Sequence, residues 1–363
     1  MIVYLSIFIV ISFLHFLSWR IKALRPGVLL ISILLLWLVS SLRDVTVGID
    51  TKNYLALFES IVQNGLMIQD VSVINLFVPN GFELGFTIYT YFVSLFTSSF
   101  ITYLFITGVL VYVPIYLFIK RYSTDYYLSL VIYYCLFFFG SMTLLRQSIA
   151  MSILLIGTKY IVGRNPIKFT AIVLLASSFH VSALVGLVLY PIYNRSLTRF
   201  AATLILSLAT IVFAFMSALV ELAATINHRY EFYLDRIDSF SIASFLSLGL
   251  YLFIFVIMVL LRDKKLDGYK DSIRQDFLII VSFAAMVVMA LSIKVNSLDR
   301  LALVFLIYTV ISLPILLTSN KGAAKTKHIK LLLVILFISY AATILLIRPE
   351  WYGVSDYKLS GGV

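Results

Sequence analysis

A few residues in this chain have the types and placement to do chemistry. They are Arg43, Asp50 and Tyr54 in "LRDVTVGIDTKNY", Glu83 in "NGFELGF", Arg146 in "LLRQSIAMS", His180 in "SSFHVSAL", and Arg300 in "KVNSLDRLAL". The planar fork of an arginine suits phosphate oxygens held in a dry site. Histidine, aspartate and glutamate are the side chains that take a proton from a reacting hydroxyl. Each residue also has a plainer use. Asp50 stands where a helix N-cap is expected, and Arg43 can snorkel to headgroups from a span end. Glu83 at a helix start can answer the helix dipole, and a lone His180 can be hydrogen-bonded structure. Asp299 and Arg300 can simply pair, next to Lys294. Arg146 is the most informative, because it interrupts an apolar stretch from Tyr126 to Val162. An arginine at bilayer depth costs about 2.5–3.5 kcal/mol, so it faces a cavity, a counter-charge or an anionic ligand unless it lies at the interface.

The elements that position these residues are set by composition. The chain has 363 residues, of which 62% are hydrophobic and only 12% charged, and its mean hydropathy is +1.04. No globular core hides that much apolar surface, so the chain is an integral membrane protein. The apolar runs are continuous and near 20 residues, which predicts an all-α polytopic protein rather than a barrel. A single polytopic domain over 1–363 is expected, with about 11–13 membrane helices. The spans fall near 2–18, 28–42, 84–98, 100–119, 126–142, 146–162, 168–192, 200–220, 244–261, 277–293, 300–318 and 331–347. The first run has no small-residue cleavage site after it and reads as a retained span. Cys135 lies in an apolar run and has no partner for a disulfide. The net charge of +11 comes from lysines and arginines in short loops beside spans, the positive-inside pattern, so nucleic acid is not an expected partner.

Basic clusters at 20–25, 262–274 and 320–330 mark the cytoplasmic side, and 43–83, 221–243 and the C-terminal tail then lie outside. Twelve full crossings would strand Lys120, Arg121, Arg164 and Lys168 on the wrong face. The conflict is resolved if 84–98 dips in without crossing and 168–192 is a broken hairpin with His180 at its apex. Residues 51–64 form an amphipathic helix, with Tyr54, Leu57, Phe58, Ile61 and Val62 as its apolar stripe, expected to lie on the outer membrane surface.

Some chemistries are ruled out. The histidines, at 15, 180, 228 and 328, never approach a zinc-protease spacing. There is no D-x-D clamp, no P-loop and no dinucleotide glycine motif, so no cofactor is expected.

In order along the chain, "RDVTVGIDTKNY", "FELGF", "LRQSIA", "SFHVSAL" followed by "LYPIY", and "NSLDRLALVF" resemble the signature pieces of the EpsG/Wzy group of bacterial polysaccharide polymerases. The likeness runs from residue 43 to about 310. It departs mildly at "GID", where the family commonly has a threonine before the aspartate. The resemblance implies a GT-C-like glycosyltransferase of the bacterial inner membrane, with its active site facing the exterior. Its substrate would be an undecaprenyl-diphosphate-linked oligosaccharide, and its partners membrane lipids and a chain-length regulator. On that reading Arg146 and Arg43, with Arg300 as a third, hold the diphosphate. His180, Asp50 and Glu83, in that order, are candidates for the base, and Tyr54 stacks on sugar. A lipid-linked oligosaccharide transporter or flippase, an O-antigen ligase and a membrane acyltransferase are the rival readings.

Overall fold

A computed structural model describes residues 1–66, 81–226, 242–263, 273–319 and 323–361. The described residues are helical throughout, without strands; the only ladder contact is an isolated bridge between Arg43 and Leu359. Most of the loops expected at 221–243 and 262–274 lie outside the described residues, as do 67–80 and 320–322. The chain forms two compact units, Met1–Leu184 with Lys321–Val363, and Val185–Asn320.

The first unit contains α1 (Ile2–Leu17), α2 (Arg25–Ser41), α3 (Thr51–Asn64), α4 (Leu84–Ser94), α5 (Phe100–Tyr122), α6 (Tyr126–Tyr133), α7 (Phe139–Thr143), α8 (Leu145–Val162) and α9 (Pro166–Phe179). A π-helical turn, Tyr134–Phe138, joins α6 to α7 inside one span. Helix starts follow local cues: Ser99, Asp125 and Asn165 each accept a backbone N–H of the first turn. After α9 the chain passes through an extended His180 (φ −158°, ψ 122°) into a 3-10 stretch, Val181–Val188. The second unit continues with α10 (Leu189–Ile192), α11 (Arg199–Ala214), α12 (Met216–Ile226), α13 (Ile242–Leu261), α14 (Gln275–Ser292), α15 (Asp299–Leu306) and α16 (Thr309–Ser319). Within it, α14 is the buried centre and packs against α11, α13, α15 and α16. The first unit is completed by α17 (Ala323–Ile347) and the tail after it.

Seven helical segments among the described residues are long and apolar enough to cross a membrane, or eight if α11 and α12, bent by 63°, are one span. The other expected spans are shorter or more polar. α1 has 16 residues and α9 has 14, and α8 carries Arg146 and Lys159. The expected span at 300–318 is one of the seven, Asp299–Ser319, with a turn between α15 and α16.

The first unit has two chemically distinct ends. At one, α2 begins beside Lys22 and Arg25, α5 ends at Lys120 and Arg121, and Lys330 of α17 pairs with Asp125 before α6. At the other, α2 ends near Arg43, α7 near Met142, α8 begins at Arg146, and α9 ends at His180. With 11 residues, α4 is about 16 Å long and cannot cross a ~30 Å layer. Its start, at Glu83, contacts Arg146. The start of α5 lies at the same end, because Phe100 packs on Phe58 of α3. So α4 is too short to span, and α5 starts at the end where α4 starts.

The face of α3 differs from expectation. Tyr54, Phe58 and Ile61 are buried, while Val62 is 39% exposed. Phe58 packs on Phe100 and Tyr103 of α5, and Tyr54 on Phe82 and Phe86. The apolar stripe therefore faces protein, not lipid. Sequence amphipathicity reports that a helix has a wet and a dry side, and is silent on what supplies the dryness.

Candidate active site

Glu83 is the N-cap residue of α4, yet its side chain caps nothing in that helix. It is 3% exposed and turned into the protein. Oε2 pairs with the Arg146 guanidinium, and Oε1 lies 2.7 Å from His180 Nδ1 and 3.4 Å from the donating Val181 N–H. Burial alone would raise its pKa. The His180 hydrogen bond and the Arg146 charge outweigh that and hold the carboxyl below its usual value. An ionised carboxylate only accepts hydrogen bonds, so the His180 Nδ1 carries the hydrogen and Nε2 is left as the basic nitrogen.

This arrangement depends on a close crossing of α4 and α9. A Cβ on Gly85 would lie 2.2 Å from Ser178 Oγ and 2.7 Å from the Ser178 carbonyl, so only glycine fits there. Two residues before Gly85 sits Glu83, and two after Ser178 sits His180. The contact between small residues thus brings the carboxylate to the imidazole.

Arg146, in the first turn of α8, donates through Nη1 to Glu83 and, at 3.2 Å, to the Gly81 carbonyl. Its guanidinium lies over the Phe82 ring at 4.8 Å. It is also within hydrogen-bonding reach of the Tyr54 phenol, whose own hydroxyl donates to the Thr143 carbonyl at 3.2 Å. The Arg146 side chain is 20% exposed and that of His180 12%, so both reach the surface of the site while Glu83 sits behind them.

Arg43 occupies a different position from the one its span-end location suggests. It is 2% exposed, donates Nη1 to the Ser40 carbonyl and Nη2 to the Met142 carbonyl at 3.0 Å, and pairs with no carboxylate among the described residues. Its Nε, Thr143 Oγ1 and Ser182 Oγ make no hydrogen bond among the described residues. Arg43 holds the Met142 carbonyl at one end of the short stretch Met142–Arg146, Arg146 stands at its other end, and Tyr54 bonds to Thr143 within it. The two arginines therefore lie at one end of the unit.

The loop carrying Arg43 is stitched to the C-terminal tail, which no sequence motif marked. The Asp44 N–H donates to the Lys358 carbonyl at 2.9 Å, and the Ser360 N–H to the Leu42 carbonyl at 2.9 Å. The Gly48 N–H donates to the Gly353 carbonyl at 2.8 Å. Gly48 has φ +94°, and a Cβ there would lie 2.7 Å from Thr51 Oγ1 and 3.0 Å from the Met142 carbonyl. Tyr357 closes the corner by donating to the Val39 carbonyl at 2.9 Å.

The remaining expected residues stand as follows. Asp50 is the N-cap residue of α3, but its side chain makes no capping bond. Tyr54 is 2% exposed between Phe82 and Phe86, a ring fixed in the packing rather than an open platform for sugar. Arg300 lies exposed in the first turn of α15, in the second unit. Gly85, Ser178 and Phe82 were missed by sequence reading, although "FELGF" contains two of them.

The fold and this constellation define a polytopic all-α membrane protein with a carboxylate, an imidazole and a guanidinium gathered at one end of its helices. The chain belongs to the EpsG family, whose family model matches residues 28–359. That membership makes it a glycosyltransferase-like polysaccharide polymerase. No curated protein and no solved structure matches the chain.

Proposed function

We propose that this protein extends a surface polysaccharide at the outer face of the bacterial cytoplasmic membrane. It transfers the growing glycan from undecaprenyl diphosphate to a hydroxyl of the next lipid-linked unit. The observation that carries this reading is Glu83 standing between His180 and Arg146. In the reaction, His180 Nε2 takes the proton of the acceptor hydroxyl, whose oxygen bonds to the anomeric carbon. The bond from that carbon to the diphosphate oxygen breaks, and negative charge grows on the departing diphosphate. Arg146 answers that charge as it develops, which lowers the barrier. Glu83 fixes the tautomer and aim of His180 and steadies the imidazolium that forms, the part a buried carboxylate plays beside a catalytic histidine.

Arg43, being buried, serves the diphosphate through the Met142–Arg146 turn that it braces. Asp50, in the same unit, is the second candidate for the base. The energy for transfer comes from the lipid diphosphate itself, so no nucleotide is consumed.

The test is to incubate purified protein with an undecaprenyl-diphosphate oligosaccharide and no nucleotide. A ladder of products spaced by one repeat unit is expected, absent with His180→Ala. No ladder from folded wild-type protein, or one that needs a nucleotide sugar, overturns the reading.

A further inference from the structure

The basic end of the first unit holds a cavity that the proposed reaction does not use. It measures about 630 Å³ and is walled by the end of α1, the turn into α2, the α5–α6 corner and α17. That is within the size range of small-ligand sites. Its charges do not balance. Asp125 is the one carboxylate in its wall, and both of its oxygens are engaged. Oδ1 accepts the Leu128 N–H at 3.1 Å, and Oδ2 pairs with Lys330. The Lys22 ammonium has no polar partner among the described residues. Arg25 donates one Nη2 hydrogen to the Trp19 carbonyl at 2.8 Å. Two cations therefore face the cavity without an anion to answer them.

The rim indicates what kind of anion fits. Phe16 is 71% exposed and Trp19 68% exposed, both at the mouth of the cavity. A tryptophan beside lysine and arginine at the end of a span is an interfacial arrangement, with the ring at headgroup depth and the cations just beyond. A soluble anion would satisfy the cations and leave the aromatic rim bare. A lipid satisfies both at once. The excess of lysine and arginine at this end places it on the cytoplasmic side, where anionic lipids attract basic segments.

We propose that this cavity binds the phosphodiester of an anionic phospholipid from the cytoplasmic leaflet. Lys22 and Arg25 hold the phosphate, and Phe16 and Trp19 lie along the acyl chains. The bound lipid would bridge α1, α2 and α17, whose helices meet there.

The experiment is native mass spectrometry of the full chain after incubation with phosphatidylglycerol or phosphatidylcholine. Wild type is expected to retain phosphatidylglycerol at least about tenfold better. Lys22→Ala with Arg25→Ala should erase that preference, whereas Lys22→Arg with Arg25→Lys should keep it. Lys22→Ala alone, at an exposed side chain, keeps the test decisive should the double variant fail to fold, and it should weaken the preference severalfold. Equal retention of the two lipids by wild type overturns the proposal, as does undiminished phosphatidylglycerol in the alanine variants. Displacement of the lipid by millimolar inorganic phosphate overturns the lipid assignment and gives the site to a soluble anion.

Discussion

The Glu83 carboxylate meets the His180 imidazole at 2.7 Å across 97 residues of chain, with Arg146 on its other oxygen. Three groups that are each unremarkable alone then constrain one another. The carboxylate sets the histidine tautomer, and the guanidinium keeps the carboxylate ionised.

From that relationship, His180→Ala should lower the polymerisation rate by about 10²–10⁴-fold, the usual contribution of a positioned base. Glu83→Gln should cost less, because Nε2 survives but loses its orientation. Rates of ladder formation on purified variants check this. Equal losses for the two would mean that the carboxylate is itself the base.

Arg146→Ala should abolish long polysaccharide while leaving the amount of membrane-inserted protein unchanged. Arg146→Lys should recover only part of the activity, since an ammonium keeps the charge but not the fork. Immunoblots for protein alongside gels for polymer separate the two effects.

Arg43 should act through stability. Removing it takes away hydrogen bonds to the Ser40 and Met142 carbonyls, a loss on the order of 3 kcal/mol for two charge-assisted bonds. Arg43→Ala is therefore expected to lower the thermal midpoint in detergent. Arg146→Ala should lower it too, because it leaves the buried Glu83 carboxylate without its charge partner. An Arg43→Ala midpoint equal to that of wild type would contradict the burial of Arg43.

Gly85→Ala should push α4 away from α9 and part Glu83 from His180. Activity should fall even though the substitution adds one methyl. Ser178→Gly should restore only some of it, because the Ser178 carbonyl would still lie 2.7 Å from the new Cβ. Full activity in Gly85→Ala would show that the helices can separate without cost to the site.

The pH dependence of stability has a definite sign. The folded pKa of Glu83 is held below its unfolded value of about 4.3, so its stabilising contribution is present in full above that value. It is lost as pH falls through the lower folded value. The stability gap between wild type and Glu83→Gln should therefore be constant near neutrality and close in acid. Thermal midpoints measured down the pH scale would reveal a gap that fails to close.

What could be read from the chain alone follows a physical pattern. Arg146 and His180 were visible because a charge or a run of small polar residues interrupts an apolar stretch. That α4 does not cross was visible because the basic loops did not otherwise share one side. The pairing of Glu83 with His180 was not, since it depends on Gly85 meeting Ser178, and no periodicity encodes a contact between distant helices. The burial of Arg43 was equally hidden. Its cover comes from Met142 and a polar tail, and hydropathy gives the same reading whether a residue faces lipid, water or protein. The bend between α11 and α12 and the turn between α15 and α16 carry no charge to mark them.

The stitching of residues 42–48 to residues 353–360 also bears on biogenesis. A contact spanning more than 300 positions cannot form while the translocon is still handling the intervening helices. The corner around Arg43 must stay unsealed until α17 has partitioned into lipid, so assembly of this end is one of the latest events in maturation. An insertion intermediate lacking α17 would hold all of His180, Glu83 and Arg146 and still be without the brace beneath them.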